Sequence, residues 1–178
     1  VNASSTIAGD SLSITSLSVL LTGLLNADGE NGTGNIELNS SLADTGSIVV
    51  GGVTNATGSL LVGNLMTPRT VALNGALNIG VDLVMSASES LSMGAQVNAG
   101  RDISLATTGA SAGEIRAIGA LDAGRDLLLN TPRNATFLAP ISVGRDATIS
   151  LAAALQFDGA LIVTGALTQT LGSVSSRF

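Results

Sequence analysis

A chain of 178 residues with a formal net charge of −6 has room for one domain, yet its composition does not suit an ordinary globule. Its aromatic residues are three phenylalanines, so the interior must be narrow enough for small aliphatic side chains to fill. Absence of Cys excludes disulfides and thiolate chemistry, absence of His and Lys leaves carboxylates and arginines, and an acidic balance without a basic cluster argues against nucleic acid.

Taken in order, the chain shows brief apolar runs separated by Gly, Asn, Asp and Ser. They include Leu12-Ser-Ile14, Ile36-Glu-Leu38, Ile48-Val-Val50, Leu60-Leu-Val62, Leu83-Val-Met85, Ile103-Ser-Leu105, Leu127-Leu-Leu129 and Leu167-Thr-Gln169. Such runs read as short strands joined by tight corners. Helical spacing is sustained nowhere; Leu151-Ala-Ala-Ala-Leu-Gln-Phe157 comes nearest, but falls at the phase of a strand and a corner. The longest apolar run, Val19-Leu-Leu-Thr-Gly-Leu-Leu25, is too short for a transmembrane helix.

Within residues 78–149 one phrase recurs. Asn98-Ala-Gly-Arg-Asp-Ile-Ser-Leu105, Asp122-Ala-Gly-Arg-Asp-Leu-Leu-Leu129 and Ser142-Val-Gly-Arg-Asp-Ala-Thr-Ile149 follow a fainter Asn78-Ile-Gly-Val-Asp-Leu-Val-Met85. The glycines Gly80, Gly100, Gly124 and Gly144 are spaced by 20, 24 and 20 residues. Strands at this period, with only a few residues between them, leave no room for crossover helices. Winding the chain into a coil, with each strand parallel to its equivalent one turn later, meets the constraint. The spacing therefore predicts a parallel β-helix, or solenoid, of about eight coils with roughly 20–24 residues each, on the order of 35–40 Å long at ~4.8 Å per coil.

The first strand residues Leu83, Ile103, Leu127, Ala147 and Leu167 extend backwards to Leu60, Ile36 and Leu12. Superposing Thr67-Pro-Arg69 on Thr131-Pro-Arg133 instead puts Gly63 where Leu60 should sit, so two registers compete before residue 78. A second strand per coil is visible in Leu91-Ser-Met93 with Val97, and in Ile115 with Ile118 and Leu121. The extra residues of Thr107-Thr-Gly-Ala-Ser-Ala-Gly113 fit an outward bulge that leaves the stack unbroken.

The phrase has a mechanical reading. Its glycines sit at a sharp turn with positive φ, where a Cβ would clash, and Ala99, Ala123 and Val143 point inward beside them. Asp82, Asp102, Asp126 and Asp146 stack in a ladder, with Arg101, Arg125 and Arg145 alternating against them. These positions form a structural repeat ladder, and neighbouring coils are its first partners.

The phrases at 99–105, 123–129 and 143–149 resemble the repeats of filamentous haemagglutinin and related two-partner-secretion exoproteins, including contact-dependent inhibition proteins. Met93-Gly-Ala-Gln-Val-Asn98 and Ile118-Gly-Ala-Leu-Asp122 fit the family's half-repeat. The resemblance is clearest over 78–150. It implies a right-handed β-helical rod, secreted or on a bacterial surface, of which residues 1–178 are a single shaft segment. No secretion or toxin domain is recognisable, so structural extension is the implied role. Attachment to a host-cell or bacterial-surface receptor is a further implied role of the parent molecule.

The sharper chemical reading is a β-helical polysaccharide-degrading enzyme that uses the Asp ladder as acid and base. A catalytic site usually occurs once, whereas these carboxylates recur at one repeat position beside arginines, so no catalytic role is expected. Neither metal nor cofactor is expected. Gly-Arg-Asp at this spacing lacks the calcium-binding nonapeptide pattern, and Asp28-Gly-Glu-Asn-Gly-Thr-Gly34 reads as a polar turn. Scarce aromatics also favour a spacer over a sugar site.

Overall fold

The computed structural model describes residues 1–4, 7–109 and 113–171. The chain winds into a β-solenoid of three parallel sheets, each eight strands wide. A full coil contributes one strand to each sheet, as in Ser90–Met93, Val97–Ala99 and Ile103–Thr107. The first sheet contains Ser90–Met93, the second Val97–Ala99 and the third Ile103–Thr107. A 3-10 turn at Glu30–Gly32 is the one helical element among the described residues. No helix among them is long and apolar enough to cross a membrane.

Each coil thus has three strands, one more than its apolar runs suggest. Val97 and Leu121 lie on second-sheet strands separate from those of Leu91 and Ile115. Ile118, grouped with them in the sequence, is 46% exposed at the intervening corner. Ile118 directly follows the inward Ala117, so strand alternation turns it outward, and the inward series resumes at Leu121.

The pairing resolves the competing registers. Leu12 pairs with Ile36, Ile36 with Leu60 and Leu60 with Leu83. The Thr-Pro-Arg match also holds, because Thr70 and Val71 pair with Ser90 and Leu91. From there the register runs through Glu114 and Ile115 to Asn134 and Ala135, immediately after Arg133. Both alignments are right on opposite sides of the corner at residues 63–67, where extra residues are accommodated. Gly63 makes that corner possible with a φ of +68°.

Coil length departs from the expected 20–24 residues near the amino terminus. Asn2 pairs with Leu20, 18 positions on, whereas Val19 pairs with Ile48, 29 positions on. The long coil makes excursions at residues 28–35 and 40–44, and the first of these is the polar turn expected there. In it the Thr33 hydroxyl donates to the Glu30 carbonyl at 2.7 Å. Around 107–113 the pairing continues on both sides, so the stack is unbroken; residues 110–112 lie outside those described.

Alternation of inward and outward residues fills a single continuous core. Inward columns such as Leu83, Ile103, Leu127 and Ala147 run up each sheet. Phe137 and Phe157 stack with ring centroids 5.3 Å apart. The coil that admits Phe137 has alanine at 135 and 147, where adjacent coils carry Ile115, Leu155, Leu127 and Leu167. Small residues thus offset the ring's volume within the same cross-section.

Candidate functional site

The recurring Gly-Arg-Asp forms the corner between the second and third sheets. Ala99, Ala123 and Val143 are buried just before it, and Ile103, Leu127 and Ala147 just after. Backbone direction explains each residue type. Gly124 and Arg125 donate their N–H groups to Ala99 and Arg101 carbonyls of the preceding coil, at 2.9 and 2.7 Å. Leu127 donates the other way, to the Asp146 carbonyl at 2.9 Å. Between them the N–H of Asp126 has no backbone carbonyl to meet, and a buried or half-buried N–H needs an acceptor. The Asp102 carboxylate of the preceding coil supplies it at 3.2 Å.

The same bond recurs at every joint. Asp102 donates to Asp82, Asp146 to Asp126 and Ala166 to Asp146. It continues below the repeats that the sequence displays: Asn35 N–H donates to Ser11 Oγ, Ser59 N–H to Asn35 Oδ1 and Asp82 N–H to Ser59 Oγ. Ser11, Asn35 and Ser59 therefore belong to the ladder and were missed by reading only aspartates. The available signal was position: each stands immediately before an inward residue, Leu12, Ile36 or Leu60.

The arginines reach back across the same joints. Arg101 forks onto Asp82, with Nε and Nη2 at 2.9 and 2.6 Å from its two carboxylate oxygens. Arg125 forks onto Asp102 and Arg145 onto Asp126, each with Nε at 2.8 Å. The aspartate of the arginine's own coil is farther, with Nε–Oδ2 separations of 3.6, 3.5 and 3.5 Å. Every guanidinium thus lies between two successive carboxylates, in the alternating arrangement expected. The hydrogen bond from Arg125 holds the Asp102 carboxyl below its ordinary pKa, and Arg145 does the same for Asp126. Their partners' guanidinium pKa values are raised in return.

The glycines require correction. Gly80, Gly100, Gly124 and Gly144 do not have positive φ; among the described glycines that conformation belongs to Gly46 and Gly63. Their constraint is vertical. A Cβ on Gly100 would lie 2.2 Å from the Gly80 carbonyl oxygen, and one on Gly124 would lie 2.3 Å from that of Gly100. Gly80 and Gly144 are bounded in the same way by the Thr57 and Gly124 carbonyls, at 2.1 and 2.2 Å.

A second column, unread in the sequence, faces outward from the second sheet. Asn26, Asn55, Asn78, Asn98 and Asp122 are successive register partners. Asn78 Nδ2 donates to Asn55 Oδ1 at 2.9 Å, and Asn98 Nδ2 to Asn78 Oδ1 at 3.3 Å. With the glycine corner, these residues line an open cleft of about 500 Å³. Asparagine reads as a turn residue in a sequence of this kind, so its second role as a ladder was hidden. No family model, curated protein or solved structure matches the chain.

Proposed function

We propose that this chain is a shaft segment of a large secreted or surface-attached bacterial exoprotein of the filamentous haemagglutinin kind, built for extension. Adhesion belongs to the parent molecule, with a host-cell or bacterial-surface receptor as partner. The supporting observation is the Gly-Arg-Asp corner, in which each coil grips the one before it by a forked ion pair and a side-chain-to-backbone bond. Devices that repeat at every joint serve the stack. Its resemblance in sequence to the exoprotein repeats supplies the setting.

The competing reading, polysaccharide cleavage by the aspartates, requires a carboxyl group that holds a proton near neutral pH. Asp102 and Asp126 are shifted the opposite way by their arginine partners, which favours the shaft. Antibodies raised against the chain should label intact source cells or their medium, and external protease should abolish cell labelling. Labelling confined to permeabilised cells would overturn the assignment.

A further inference from the structure

The asparagine cleft has the chemistry of a site rather than of a joint. A primary amide offers two N–H donors and two lone pairs. Asn78 uses one donor towards Asn55 and one lone pair towards Asn98, leaving one of each. Asn98 donates once to Asn78 and accepts once from Gln96, leaving the same pair. Asn26 and Asn55 carry further unused capacity on the same column. A hydroxyl group is likewise both donor and acceptor, so a row of such amides matches a row of hydroxyls.

Shape and charge narrow the class. The cleft crosses five second-sheet strands, from Leu25–Ala27 to Leu121–Ala123, and so spans ~19 Å at the usual strand spacing. Gly80, Gly100 and Gly124 form its border without side chains of their own. No arginine lines it, and Asp122 is its one charged group. An anionic polymer would find no cation there and one repelling carboxylate. An extended peptide advances ~3.4 Å per residue and drifts out of step with coils ~4.8 Å apart. A hexose unit is about as long as one such coil step.

We infer that this cleft binds a linear, uncharged glycan lying parallel to the solenoid axis, with one sugar unit over each coil. Without aromatic platforms each unit is held weakly, and affinity accumulates with chain length. The inference goes beyond the shaft reading, since a shaft needs no ligand.

The test is calorimetric and NMR titration of the whole chain with xylo-, cello- and chito-oligosaccharides of increasing length, alongside sulfated and uronate chains and extended peptides. Saturable binding of a neutral series should strengthen with length until the ligand covers the five strands. Asparagine side-chain amide resonances of the column should shift. Asn78→Ala with Asn98→Ala should weaken binding on the order of tenfold, as loss of two modest hydrogen bonds implies, while the variant keeps a folded, cooperative melt. Should that variant misfold, the amide shifts of the unaltered chain decide.

No saturable binding to any neutral chain, shifts confined to another face, or unchanged binding by a folded variant would overturn the inference. So would preference for charged glycans or peptides. The shaft reading fails separately, by cell labelling.

Discussion

At the scale of single residues, what matters is the space and the partners left by the next coil. Gly100 faces a backbone carbonyl that cannot move aside, whereas a Cβ on Gly51 would meet its nearest neighbours at 3.7 Å or more. Gly100→Ala should therefore cost about 3 kcal/mol in urea unfolding, as severe overpacking does. Gly51→Ala should stay within about 0.5 kcal/mol; equal costs would show that the vertical contact is not limiting. Thr54 stands inward between Leu25 and Leu77, 1% exposed, and its hydroxyl has no hydrogen-bond partner. Thr54→Val keeps the shape and removes the unmet group, so stability should rise by about 1 kcal/mol. Thermal melting should register this as a gain of about 2–4 °C.

The corner is the element in which sequence and structure meet most closely. Its inward residues were legible because an apolar side chain recurs before and after every Gly-Arg-Asp. That pattern placed even Leu12, Ile36 and Leu60 correctly. The constraint on the glycines was not legible, because proximity to the preceding coil leaves no mark distinguishable from a left-handed turn. Nor were Ser11 and Ser59, since a hydroxyl accepting one N–H resembles any loop serine until the coils are stacked. The two sides of the corner also differ in kind: each carboxylate serves the coil after it, and each guanidinium the coil before it.

Substitutions at this element should separate its two bonds. Asp102→Asn retains an oxygen for the Asp126 N–H, so it should cost about 1 kcal/mol or less, given a partly exposed and screened ion pair. Asp102→Ala removes both partners and should cost about 1–2 kcal/mol. If the two variants melt alike, the backbone bond contributes nothing. Acid should act through the same carboxylates. Asp102 and Asp126 have folded-state pKa values below those of the unfolded chain. Their stabilisation is therefore present above the unfolded value of ~3.9 and is lost as pH falls through the lowered folded values. Stability measured from pH 6 downwards should decline in that window, and Asp102→Asn with Asp126→Asn should flatten the decline.

For the whole molecule, stacking makes the coil the unit of stability. Removing residues 124–143 would join Ala123 to Gly144 and bring Arg145 over Asp102, restoring the corner in register. The shortened chain should retain its β signature and melt at a lower temperature; collapse to an unfolded spectrum would show that the Phe137 coil is indispensable. Coils also differ in residue count without differing in rise. The excursions at 40–44 and 63–67 share the edge between the third and first sheets, where extra residues extend sideways while pairing continues above and below. Such a molecule measures distance in whole turns, so lengthening its sequence at that edge changes its girth and leaves its reach the same.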